Sequence, residues 1–78
     1  MAKRKKKTSR DIERIYSNKA FAAKLRRLAD ALESGKRFRV QVAGERISVP
    51  PDAEITVEHE RGSGQEEVEF QLRWALGE

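Results

Sequence analysis

The sequence places its single histidine between two glutamates, in the tripeptide Glu58-His59-Glu60. Imidazole and carboxylate groups could together bind a metal ion or transfer a proton. The flanking residues alternate between apolar and polar types, however, and successive side chains of a strand point to opposite faces. Glu58 and Glu60 would share the solvent-facing side while His59 points toward the core. We therefore expect no metal and no cofactor here, and we interpret His59 as a partly buried structural residue.

Further glutamates extend this pattern into an acidic ladder on the polar face of the last two predicted strands. Carboxylate oxygens suit hard divalent cations, but a strand spreads its side chains, whereas a cation site wraps them around the ion. Such a row is typical of a solvated face that discourages edge aggregation. The functional alternative is that it binds a basic partner. The ladder comprises Glu54, Glu58, Glu60, Glu67 and Glu69.

Basic residues lie mainly in the first two thirds of the chain. The amino-terminal ten residues hold six and no acid, and residues 1–9 are predicted to form a disordered tail. The tail is either a solubilising terminus or an arm for a polyanion. Three arginines are expected to project from one face of a hairpin and to assist in contacting phosphates. The full candidate polyanion-binding set is Lys3, Arg4, Lys5, Lys6, Lys7, Arg10, Arg37, Arg39 and Arg46.

Composition excludes several functional classes. The 78 residues include no cysteine, which removes disulfides and thiolate chemistry. No apolar run approaches the roughly 20 residues of a membrane span, so no membrane contact is expected. There is no glycine-rich phosphate loop leading into a helix, and no serine has a histidine partner other than His59. With one predicted helix there is little room for a pocket. We therefore expect neither an enzyme nor a small-molecule substrate.

Periodicity predicts the elements that position these groups. Arg10 to Ser17 is interpreted as a short first strand. A helix is predicted over 18–34, with Ser17 as its N-cap and Gly35 at the left-handed position that ends it. The basic residues Lys24, Arg26 and Arg27 lie away from its apolar stripe, on a different layer from the hairpin arginines. That stripe consists of Phe21, Leu25, Leu28, Ala29 and Leu32.

Two hairpins are predicted to follow. A two-residue Ala43-Gly44 turn would place Val42 opposite Glu45, Val40 opposite Ile47 and Phe38 opposite Val49, with the larger apolar pairs on one face. Pro50-Pro51 interrupts the ladder, because proline has no N–H to donate. In the second hairpin, the loop around 62–65 would pair Val57 with Phe70, Ile55 with Leu72 and Glu58 with Glu69.

The fold class predicted from these elements is α+β. One amphipathic helix packs on an antiparallel sheet in two layers, in the order β-α-β-β-β-β. Residues 10–76 form a single domain. Trp74 ends the apolar row of the last strand, where it either closes the core or offers an aromatic contact for a base or a peptide side chain. The apolar content is small for a monomer, so a homodimer through an edge strand or an uncovered sheet is a further expectation.

Three segments together resemble the amphi-Trp domain family, whose members are small prokaryotic domains. They are Leu-Arg-Arg-Leu-Ala-Asp-Ala-Leu-Glu-Ser-Gly at 25–35, Val-Gln-Val-Ala-Gly-Glu-Arg-Ile-Ser-Val-Pro at 40–50, and Glu-Glu-Val-Glu-Phe-Gln-Leu-Arg-Trp at 66–74. The resemblance covers about residues 11–75. It implies the fold and a cytoplasmic prokaryotic protein, and it carries over no catalytic or binding residue.

Charge distribution supplies the functional hypothesis. Net charge is +4, yet residues 50–78 hold eight acidic and only two basic residues. The expected function is a non-catalytic interaction module that acts by charge complementarity, with a protein partner or through self-association. The alternative is an accessory nucleic-acid binder that uses the basic tail with Arg37 and Arg39.

Overall fold

The computed structural model describes residues 10–77. Helix α1 (Asn18–Ser34) precedes four strands, β1 (Phe38–Val42), β2 (Glu45–Val49), β3 (Glu54–Gly62) and β4 (Gln65–Arg73). β1 pairs with β2 and β3 with β4, giving two separate two-stranded antiparallel sheets. The predicted α+β class with antiparallel pairing is therefore confirmed. The predicted disordered tail, residues 1–9, lies outside the described residues.

The first strand predicted over Arg10–Ser17 is wrong, because this segment has no regular secondary structure. Its apolar residues do not alternate, so they cannot share one face of a strand. Ile15 is fully exposed and Ile12 half exposed, so neither has a sheet to pack on. The observed order is α-β-β-β-β. Arg10 instead attaches the segment to the first hairpin, since its Nη2 donates to the carbonyl oxygen of Val42 at 2.8 Å.

Helix α1 begins and ends where the capping residues predict. The Ser17 hydroxyl accepts from the Ala20 N–H at 3.1 Å, which satisfies one of the unpaired donors of the first turn. Gly35 takes a left-handed φ of 67°. The Lys36 N–H then reaches the Ala31 carbonyl at 2.9 Å, as in a Schellman motif.

The packed face of α1 is rotated from the predicted apolar stripe. Phe21 and Leu32 of that stripe remain 45% and 41% exposed. Among the elements of residues 10–77, the helix packs mainly against β1. The half-buried helix residues are Ala22, Lys24, Leu25, Leu28 and Ala31.

Both hairpin registers are as predicted. In the first, Phe38 pairs with Val49 and Val40 with Ile47. In the second, nine consecutive pairs run from Glu54–Arg73 to Gly62–Gln65. Each turn has two residues with positive φ, Ala43-Gly44 and Ser63-Gly64, the conformation that matches the twist of hairpin strands.

The expected single sheet under the helix is not formed. Pro50 and Pro51 separate the hairpins. They lie in a turn in which the Ala53 N–H donates to the Pro50 carbonyl at 3.2 Å. Among residues 10–77 only Val49 and Pro50 are buried. The core therefore lies between α1 and the first hairpin, and the second hairpin stands largely apart from it.

Candidate functional site

A shallow groove of about 610 Å³ lies between α1 and the first hairpin. Four of its eight lining residues are cationic, and none is acidic. The helix contributes Lys24 and Arg27, which are three residues apart and therefore on one side of it. The hairpin contributes the remaining six, namely Arg39, Val40, Gln41, Arg46, Ile47 and Ser48. We call the four cations Lys24, Arg27, Arg39 and Arg46 the basic groove.

Contacts to the hairpin and to the preceding segment fix the two helix cations. The Arg27 guanidinium donates through Nη2 to the backbone carbonyl of Arg39. Its Cζ lies 5.3 Å from the centroid of the Phe38 ring, a distance suited to a cation–π contact. Lys24 Nζ lies equally close, 5.3 Å, to the Tyr16 ring. Arg27 thus joins helix to hairpin while its charge stays at the groove.

The register places the two hairpin cations, Arg39 and Arg46, on one face of the first hairpin. Arg39 pairs with Ser48 and Gln41 with Arg46, and these neighbouring pairs alternate with the apolar pairs that face the core. Arg39 and Arg46 are exposed. Four positive charges around one concave surface repel one another and attract an anion, which would relieve that repulsion.

Lys24 and Arg27 belong to the helix layer, yet they line the same groove as the hairpin arginines Arg39 and Arg46. The rotated packing of α1 brings both to the edge of the first hairpin. A signal was present in the sequence: Lys24 is four residues before Leu28, so the two share a face. A lysine or arginine beside an apolar stripe commonly packs its aliphatic stem there and leaves its charge at the rim.

Two other predicted polyanion contacts are engaged in local structure. Arg37 Nε donates to Ser48 Oγ at 2.7 Å across the first hairpin. Arg10 forms an ion pair with Glu45 and donates to the Val42 carbonyl at the hairpin turn. Both side chains thus stabilise the hairpin that carries the groove. The five basic residues of the tail, Lys3, Arg4, Lys5, Lys6 and Lys7, lie outside the described residues.

The acidic ladder lies on the polar face of the second hairpin. Glu58 pairs directly with Glu69, and Glu60 with Glu67, so like charges stand opposite one another. The remaining member, Glu54, pairs with Arg73. Glu60 and Glu69 are half-buried and the others exposed. No cluster of three or more potential metal-ligating side chains occurs in residues 10–77.

His59 is not partly buried as predicted, since its side chain is 51% exposed. Its Nε2 donates to Glu66 Oε2 at 2.9 Å, and Arg61 Nη2 donates to the same oxygen at 3.1 Å. Glu66 is diagonal to His59 in the register and so shares its face, which alternation along a single strand does not reveal. The three residues border the tip of the hairpin, where a second open depression measures about 640 Å³.

Trp74 directly follows β4 and is half-buried. This partial burial is compatible with both predicted roles, core closure and an aromatic contact.

The model of the Amphi-Trp domain family matches residues 3–78. The match spans every described element together with most of the basic tail. The chain belongs to the Amphi-Trp domain family. The resemblance inferred from the helix, the first hairpin and the last strand is therefore confirmed. Neither the curated proteins nor the solved structures include one that matches this chain significantly. Within residues 10–77 of this Amphi-Trp domain, no helix has the length and apolar character that crossing a membrane requires.

Proposed function

We propose that this Amphi-Trp domain is a non-catalytic interaction module that acts by charge complementarity, and that its basic groove binds an acidic partner. The observation that carries the proposal is that Lys24, Arg27, Arg39 and Arg46 line one groove with no acidic neighbour among its lining residues. An acidic segment of a protein would place its carboxylates against these four cations. The acidic ladder on the second hairpin is the complementary surface for a basic partner.

The expected affinity follows from the number of contacts. Exposed ion pairs contribute about 0–1 kcal/mol each, so the four groove cations alone support binding in the millimolar range. The basic tail would strengthen this interaction. Residues 3–7 are continuous in the chain with Arg10, which is held at the turn beside the Gln41–Arg46 pair of the groove. We propose that tail and groove act together, giving a weak, fast and salt-sensitive interaction.

Nucleic acid is the second candidate partner. Three of the four groove cations are arginines, and the planar guanidinium group suits bidentate contacts to phosphate oxygens. Binding of this kind would depend on backbone charge and would not read sequence, because phosphate contacts position a protein without specifying bases.

The test compares two variants that lose equal charge. Lys24→Gln/Arg46→Gln removes two of the four positive charges of the groove. Arg26→Gln/Arg73→Gln removes two exposed cations that do not line it. Fluorescence anisotropy would follow binding to a labelled polyglutamate peptide, a single-stranded DNA and a duplex, at 50 and 150 mM salt. We expect the groove variant to weaken binding about tenfold and the control less than twofold. Equal losses in both variants would mean that net charge acts without the groove.

The identity of the partner is decided by two further comparisons. If DNA is the ligand, the logarithm of its affinity falls steeply with that of the salt concentration, by about 0.9 per phosphate neutralised on duplex DNA. Replacing Lys3, Arg4, Lys5, Lys6 and Lys7 by glutamine should then abolish DNA binding. Retained peptide binding in that variant would assign the groove to an acidic protein segment.

A further inference from the structure

The second hairpin presents an apolar face that the rest of the chain leaves open. The register places Ile55 beside Leu72 and Val57 beside Phe70, with Val68 next along the same face. Four of these residues are about half exposed or more, Ile55 at 49%, Val57 at 66%, Val68 at 61% and Phe70 at 57%. Among residues 10–77, no other helix or strand makes more than marginal contact with this hairpin.

The size of this apolar face is what distinguishes it from scattered exposed residues. An aromatic side chain such as Phe70 presents roughly 150–250 Å² and the aliphatic ones less, so at these exposures the four leave on the order of 400 Å² open. A contiguous patch of that size matches the largest apolar patch of a typical soluble monomer, and such patches often mark an interaction surface.

We propose that a second copy of this chain covers the apolar face, with two β3–β4 hairpins packed face to face about a two-fold axis. The inference does not depend on the basic groove. Val49 and Pro50 are the only buried residues in the described chain, and a domain of this size rarely folds on so little core without disulfides, a metal or oligomerisation. The absence of cysteine excludes disulfides.

The geometry of the hairpin suits a symmetric interface. Nine-residue strands are about 30 Å long and packed sheets lie about 10 Å apart. The exposed part of four side chains already supplies about half of the ~800 Å² per partner of a stable interface. The Val57–Phe70 pair lies one residue from the midpoint of each strand. A two-fold axis passing beside this pair would place it against the same pair of the second copy.

The charged and polar groups on this face are confined to one end of it, beginning at His59, which pairs with Val68. His59, Arg61 and Glu66 lie toward the tip of the hairpin, where they would form a polar rim. The acidic ladder lies on the opposite face of the same strands, so no like charges are brought together.

The stretches 1–9 and 75–78 of the same chain are poor alternatives as a cover. Residues 1–9 contain no large apolar side chain after Met1, and residues 75–78 contain only Leu76. Helix α1 is held at the first hairpin by Arg27 and packs there on β1, although Phe21 and Leu32 stay exposed. A second copy supplies an identical apolar face. Packing the two faces together would give each second hairpin the covering layer that its own chain does not provide.

The test measures the mass of the full chain by sedimentation equilibrium from 5 to 500 µM, in 150 mM and 1 M NaCl. We expect a species of twice the 8.9 kDa chain mass, retained at high salt because apolar contacts are not screened. Val57→Thr/Phe70→Thr should raise the dissociation constant at least a hundredfold, since every substitution acts twice in a symmetric interface. The matched control is Glu58→Thr/Glu69→Thr, the adjacent pair on the opposite face. Its dissociation constant should stay within threefold of the wild-type value.

Three outcomes would overturn the proposal: a monomer at every concentration, a dimer that dissociates in 1 M NaCl, or equal losses in both double variants. Because the apolar variant could unfold, isotope-filtered NMR on a mixture of labelled and unlabelled wild-type chains provides an independent measurement. Intermolecular contacts from the Val57 and Val68 methyls to the Phe70 ring support the face-to-face dimer. Contacts confined to Phe21 and Leu32 of the helix overturn it.

Discussion

At the scale of single residues, Ala43 holds a conformation that alanine rarely adopts. Its φ is +49°, and that of Gly44 is +87°. Both values are required by the two-residue turn that matches the twist of the hairpin, yet a left-handed conformation costs a residue with a Cβ roughly 1–2 kcal/mol. The free energy gained by partly burying Phe38, Val40 and Ile47 in this register therefore exceeds the cost of the left-handed conformation at Ala43.

Ala43→Asn should stabilise the protein by about 0.5–1 kcal/mol, because asparagine tolerates the left-handed region and Asn-Gly is the preferred pair in this turn. The measurement is urea unfolding followed by circular dichroism at a fixed protein concentration. Gly44→Ala is the matched control and should destabilise by about 1 kcal/mol. No atom lies within 4 Å of the added Cβ, so its effect is conformational alone. Destabilisation by Ala43→Asn would contradict the turn assignment.

At the scale of elements, the helix and the hairpins could be predicted because local signals determine them. Ser17 and Gly35 fix the ends of the helix, and strict alternation together with short turns permits one favourable register in each hairpin. The first strand was mispredicted because Ile12 and Ile15 are apolar without alternating, and tertiary contacts of Arg10 hold that segment instead. The basic groove depends on helix rotation, which a stripe of apolar residues specifies only loosely.

The second hairpin carries an element-scale conflict in its acidic ladder. Glu58 stands directly opposite Glu69, and like charges at opposed positions destabilise a strand pair by roughly 0.2–1 kcal/mol. The sequence predicted this pairing, and the structure retains it. A surface kept at this cost is consistent with the proposed contact to a basic partner.

Glu58→Lys should therefore raise the free energy of unfolding by about 0.5 kcal/mol, because it turns a like-charge pair into an opposite-charge pair. Thermal and urea unfolding at low salt would measure the gain, which should shrink in 0.5 M NaCl as screening increases. The reverse change, Arg73→Glu, creates a like-charge pair with Glu54 and should lower stability by a similar amount. A gain that is insensitive to salt would argue against charge as its cause.

At the scale of the whole molecule, three surfaces of different chemistry are divided between the two hairpins. The first hairpin and α1 form the basic groove, while the second hairpin carries the acidic ladder on one face and the apolar residues on the other. Pairing through the apolar faces would leave both charged surfaces exposed. A dimer of this kind would present two basic grooves, so a polyvalent acidic partner would bind more tightly than its single contacts suggest.

Stability that depends on pairing must also depend on protein concentration. If the apolar face is covered by a second copy, raising the concentration from 5 to 500 µM favours the folded dimer by about 2.7 kcal/mol through mass action. The Tm of the wild-type chain should then rise on the order of 5–10 °C. Differential scanning calorimetry at several concentrations would measure this rise. Glu58→Thr/Glu69→Thr should retain it, because its changes lie on the opposite face. A Tm independent of concentration in the wild type would show that each chain folds alone, with its apolar face open.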